Sequence, residues 1–143
     1  MTWYAAHVVM VVEFKDAVQD GYPVWENIVL INAASEDEAF QKAEGHGRDA
    51  EGDDRGSFKW GKNRAKWVFA GVRKLTECVM VTESPDDGAE ITFNELELPS
   101  QEVVKKFAQG KRVEVLYNDR FAAALARRKN AHGEPKHPKR KGA

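Results

Sequence analysis

The stretch Trp25–Ala43, WENIVLINAASEDEAFQKA, constrains the fold more than any other part of the chain. Ile28, Val29, Leu30 and Ile31 form a short continuous apolar run. Such a run reads as a strand covered on both faces, as in the centre of a sheet. Ser35 follows, with Glu38 three residues on. In a capping box the serine hydroxyl accepts from the N–H of Glu38, whose carboxylate reaches back to the serine's own N–H. Glu36, Asp37 and Glu38 place negative charge on the first turn, where the helix dipole favours it. A strand running directly into a capped helix is therefore expected here.

The first residues bring a second strand. Tyr4, Ala6, Val8, Met10, Val12 and Phe14 form one wholly apolar face, and Trp3, Ala5, His7, Val9, Val11 and Glu13 a mixed one. A period of two over this length predicts a strand with one face on the core, pairing antiparallel with residues 24–33. The helix then packs Ala39, Phe40 and Ala43 on the sheet, with Gly45 and Gly47 expected to stop it. GHGRDAEGDDRG (45–56) reads as an acidic loop, and 64–75 as a strand with Trp67, Phe69 and Leu75 on one face. Gly71 in that strand suggests a bulge or a close backbone approach.

Cys78 to Thr82 continues as a strand, and Ser84-Pro85-Asp86-Asp87-Gly88 has turn chemistry. Ile91 and Phe93, then Leu96 and Leu98, predict a further strand with a shift of phase. Ser100 caps a second helix carrying Val103, Val104 and Phe107, ended by Gly110. Val113, Val115 and Tyr117 read as a last strand, and Asn118 or Asp119 as the cap of a third helix through Leu125. The fold class that follows is α+β: an antiparallel or mixed sheet of five to six strands with two to three helices, mainly on one face.

At 143 residues the chain suits one domain, expected over 1–130, with a basic tail at 131–143. The net charge of −1 conceals an asymmetry. Arg127 to Ala143 hold a balance of +6, which leaves −7 for the body. The basic residues Arg127, Arg128, Lys129, Lys136, Lys139, Arg140 and Lys141 have the composition of an arm for nucleic acid or an acidic partner. A solvated, solubilising end explains them about equally well. Cys78 is the single cysteine, so no intrachain disulfide forms and a reducing, cytoplasmic setting is expected. The N-terminal apolar run is interrupted by His7 and too short to span a bilayer, so no membrane association is expected.

Motifs that carry chemistry are sparse. Gly56–Lys62 has the GxxxxGK spacing of a phosphate loop, but Asn63 stands in place of Ser/Thr and Phe58 and Trp60 crowd it. His46, Asp49, Glu51, Asp53 and Asp54 offer oxygen ligands, yet Asp54 and Trp60 occupy positions where a calcium loop needs glycine and glutamate. No metal or cofactor is expected. Glu95 and Glu97 read as exposed strand charges, and Cys78 in ECVMV as a buried thiol. His7 is the more interesting titratable group, though a partly buried histidine with one hydrogen bond is its plainer reading.

Three blocks together resemble a small bacterial domain family of unknown function: WYAAHVVM, ENIVLINAASEDEAFQKAEGHG and AKWVFAGVRKLTE. The resemblance covers about residues 3–77. It implies the strand, strand-helix and strand order, and it brings no catalytic residue. The expected function is a non-catalytic module that binds a protein partner or its own copy. Trp3, Tyr22, Trp25 and Trp60 are its candidate anchors, since amphipathic aromatics concentrate at interfaces. The alternative is a nucleic-acid-associated accessory protein using the basic C-terminal segment.

Overall fold

A computed structural model describes residues 1–79 and 84–117. The described residues form an α+β fold with six strands in two sheets and two helices. The chain divides into two compact units, Met1–Phe93 and Asn94–Ala143, a boundary the sequence reading did not draw. The expected third helix, the tail and most of the Cys78–Thr82 strand fall outside the described residues. Cys78 and Val79 themselves are not in a strand.

In the first unit, β1 (Thr2–Phe14), β2 (Val24–Ala33), β3 (Lys59–Trp60) and β4 (Asn63–Glu77) form one sheet in the order β2-β1-β4-β3. Every neighbouring pair is antiparallel. Helix α1 (Glu36–Asp49) connects β2 to the far side of the sheet and covers one face. Tyr4, Ala6, Val8 and Met10 of β1 are buried there with Ile31, Ala33 and Val72, under Ala39 and Ala43 of the helix. Phe40 packs against this cluster from its rim. Period-two patterning thus identified the core face of β1.

Two strand assignments change places. β1 is central and buried on both faces, with Ala5 and His7 of its mixed face fully enclosed. β2 is the edge strand, and Ile28 and Leu30 of its apolar run are exposed. A continuous apolar run shows that a strand is hydrophobic on both faces; it does not show that neighbours cover both.

Helix α1 begins as the cap predicts, Ser35 Oγ accepting from Glu38 N at 3.2 Å. The return bond shifts by one residue: Glu38 Oε2 accepts from Ala34 N at 3.0 Å. Gly45 and Gly47 do not end the helix, which runs on to Asp49. Gly47 is needed for space. A Cβ there would stand 2.2 Å from Cδ2 of Phe69, so its absence lets the helix press against β4.

β4 departs from its β1 register twice, between His7 and Val8 and between Val9 and Met10. Ala70 and Arg73 are the extra residues, flanking Gly71, as the glycine suggested. The two bulges keep Trp67, Phe69, Val72 and Leu75 with the core despite their uneven spacing. In the second unit, α2 (Gln101–Ala108) is capped by Ser100, whose Oγ accepts from Val103 N at 3.3 Å. Val104 and Phe107 of its apolar stripe are exposed. β5 (Leu96–Glu97) and β6 (Leu116–Tyr117) pair antiparallel and are shorter than the expected strands, while Ile91 and Phe93 lie outside any strand.

Candidate functional site

β1 turns His7 onto the sheet face opposite α1, where the side chain is entirely closed to solvent. Its partners come from three elements. Nδ1 lies 2.8 Å from Glu26 Oε1 of β2, and Nε2 lies 2.7 Å from Thr92 Oγ1. A carboxylate only accepts, so Nδ1–H donates to Glu26; Nε2 then accepts from the Thr92 hydroxyl. Arg73, the residue added by one β4 bulge, donates to the same Glu26 oxygen at 3.3 Å. Burial pushes the His7 pKa below its usual value, and Glu26 opposes that shift. Lys74 and Arg73 add smaller contributions that disfavour the imidazolium.

The 84–93 segment closes over this cluster. Lys74 donates from Nζ to the carbonyl of Phe93 and lies 4.1 Å from the centre of its ring. The Cys78 thiol donates to Ile91 O at 3.0 Å, and burial raises the thiol pKa. A carboxylate–imidazole–hydroxyl chain is chemically able to draw a proton from Thr92. Here, however, the ring presents no surface to a substrate, and both cations beside it are engaged by Glu26 and Phe93. The arrangement acts as a polar joint between β1, β2 and the 84–93 segment. Sequence reasoning found His7 but missed Glu26, Arg73 and Thr92, because only the β1–β2 register, a β4 bulge and the path of the 84–93 segment bring them together.

The aromatic candidates separate. Trp25 and Trp60 meet around Trp67, with centroids 4.9 and 6.2 Å from its ring, and Phe58 stacks on Trp67 at 5.6 Å. Trp67 was not among the expected anchors; it organises two of them. Trp25 remains about half exposed. Trp3 lies half-buried in β1, and Tyr22 is exposed in the loop before β2. Beside Trp25, the β2 edge exposes Val24, Ile28 and Leu30.

The weaker motifs resolve into ordinary structure. Lys59–Trp60 and the start of β4 form a hairpin through Gly61-Lys62, with Gly61 at φ 60° as the first turn residue of a two-residue loop requires. The phosphate-loop spacing therefore sits on a β-turn. His46 and Asp49 belong to α1. The Glu51 carboxylate accepts from Phe69 N, while Asp53 pairs with Lys15 and accepts from Gly56 N, which lowers its pKa. Among the described residues no group of acids, histidines and cysteine is arranged to hold a metal. Nor is any described helix long and apolar enough to cross a membrane. The basic residues Arg127 to Lys141 lie outside the described residues.

Residues 3–92 match a domain of unknown function, DUF4288. The chain belongs to that family. The matched region reaches beyond the resemblance noted from the sequence and takes in His7, Glu26, Arg73 and Thr92. It ends beside the boundary of the first compact unit at Phe93. No curated protein and no solved structure matches the chain.

Proposed function

We propose that this DUF4288 domain is a non-catalytic interaction module that binds a protein partner or a further copy of itself through the open side of β2. One observation carries the reading. A ten-residue strand lies at the edge of the sheet with Val24, Trp25, Ile28 and Leu30 exposed along it. An edge of this length offers a row of backbone donors and acceptors, and its apolar side chains gain by leaving water. The polar joint supports the reading by pairing Glu26, the strand's single charged residue, with His7 and Arg73 of the same chain, so the row between Val24 and Ile28 carries no unpaired charge.

The test uses the full chain as bait beside an Ile28→Lys variant. Ile28 is exposed, so the variant is expected to keep its fold, as far-UV circular dichroism and melting will check. The reading expects a retained protein that also binds the purified parent chain and is lost with the variant. Equal retention by both chains removes β2 as the binding surface.

A further inference from the structure

The open margins of the sheet are built differently. Along β4, Glu51 occupies the Phe69 N–H, and Gly52 and Trp67 exchange backbone bonds of 3.1 and 2.7 Å. Two bulges twist the strand further, and the short β3 covers its start. These are devices that discourage strand addition. Among the described residues β2 carries one such device, Lys42 Nζ on the Asn32 carbonyl near the strand's end. Val24–Ala33 contains no proline and no lysine, and its register with β1 is unbroken.

The backbone groups on the open side of β2 can be assigned. Pro23 O accepts from Val12 N at 2.9 Å, so odd positions direct their polar groups toward β1. Strand alternation turns those of Val24, Glu26, Ile28, Leu30 and Asn32 outward. Asn32 agrees, since its carbonyl accepts from Lys42 Nζ of α1 at 2.7 Å. Lys42 thereby closes one end of the row and leaves Val24 to Leu30.

We propose that this row is the seam of a symmetric homodimer, two copies joining β2 to β2 antiparallel about a two-fold axis at Asn27. The proposal rests on the interaction reading above and names its partner as a second copy. In this register Val24 pairs with the partner's Leu30 and Glu26 with the partner's Ile28, and symmetry repeats both pairs. Every outward residue between Pro23 and the Lys42-capped Asn32 is used. A register centred on Ile28 instead sets Val24 against the partner's Asn32, whose carbonyl is already taken.

Charge and polarity fit self-association. The outward-pairing positions share one sheet face, so Val24, Ile28 and Leu30 of both copies form one apolar strip. Glu26 brings no uncompensated charge to it, because His7 and Arg73 of its own protomer hold the carboxylate. An isologous contact needs a patch complementary to itself, and this strand has one.

Sedimentation of the full chain over a concentration series gives the mass, and a cysteine placed on the axis gives the register. Asn27 faces its own mate as a non-hydrogen-bonded pair, about 4.5 Å between Cα atoms. That is within the ~4.4–6.8 Å a disulfide spans. With Cys78→Ser to remove the native thiol, Asn27→Cys is expected to give a covalent dimer under mild oxidation. Val24→Cys, roughly 20 Å from its mate, is expected to give none. Ile28→Lys should be monomeric with an unchanged circular dichroism spectrum. A parent chain that stays monomeric overturns the dimer, as does a dimer that survives Ile28→Lys or cross-links through Val24→Cys. A monomeric parent that still binds a different protein through Ile28 leaves the interaction reading standing, whereas a monomer binding nothing removes both.

Discussion

β1 and β2 are neighbours of similar length, 13 and 10 residues, and their fates differ. β1 alternates and carries a histidine, yet it is the centre of the sheet with both faces covered. β2 carries the continuous apolar run Ile28–Ile31, yet it lies at the edge with Ile28 and Leu30 exposed. Hydrophobicity alone did not decide which strand went inside. Small Ala5 lets covering structure approach the outer face of β1, and His7 tolerates burial because both ring nitrogens find partners. Among the described residues no strand pairs with the open side of β2, and Val24, Trp25, Ile28 and Leu30 stay exposed along it.

The largest effect expected from this contrast lies at Met10, 2% exposed in the β1 core. Met10→Ala removes buried methylenes from a site walled by strand and helix, and a loss of about 3 kcal/mol is expected. Urea unfolding measures it. A loss below about 1 kcal/mol means that the face under α1 repacks freely, and the contrast between the strands weakens.

Local patterns were legible; adjacency was not. The core face of β1, both serine caps, the β1–β2 pairing and the bulge at Gly71 all depend on residues close together in the chain. The extent of α1 was misread because glycine in a helix usually weakens it, and only the approach of Phe69 shows why Gly47 stands there. The edge position of β2 depends on which strands flank β1, information that no periodicity contains. His7 was identifiable as unusual, but Glu26 is 19 residues away and Thr92 is 85. Only the folded sheet joins them.

The joint between the two strands provides the next test. His7→Ala removes two hydrogen bonds and leaves a cavity in the enclosed face, with an expected loss of about 2 kcal/mol. It should also flatten the parent's pH dependence. Burial holds the His7 pKa in the folded protein below 6.5, so the unfolded chain takes up the proton first. The histidine's contribution is therefore complete above about pH 6.5 and is lost as pH falls through the folded pKa. Unfolding free energies at neutral and mildly acidic pH, parent against variant, check this. A parent stability independent of pH in that window contradicts a buried neutral His7.

A smaller effect is expected at Glu26. Glu26→Gln keeps an oxygen for the His7 Nδ1–H but removes the charge that Arg73 and His7 share, about 1 kcal/mol at neutral pH. Glu26 also raises the His7 pKa against the effect of burial, so losing its charge lowers that pKa further. The acid-induced loss of stability should then continue to lower pH than in the parent. Titration of the His7 ring by NMR separates this from a general loss of packing: the ring pKa falls if the carboxylate faces it and stays put if it does not.

The smallest effect belongs to the exposed strand, and its smallness is informative. Ile28→Thr retains β-branching, so strand preference changes little, while apolar surface at the β2 edge is reduced. Ile28 is 43% exposed, against 2% for Met10, and much of its side chain gains nothing from folding of a single chain. At protein concentrations where the chain is monomeric, the expected loss is about 0.5 kcal/mol. At higher concentrations the same variant should fall further behind the parent, because association stabilises only the chain that retains the apolar seam. Melting temperatures of both chains over a dilution series measure the gap. A gap that widens with concentration places Ile28 at a contact between copies. A large gap that dilution does not change means instead that Ile28 supports the monomer fold, and β2 would then be an edge in topology alone.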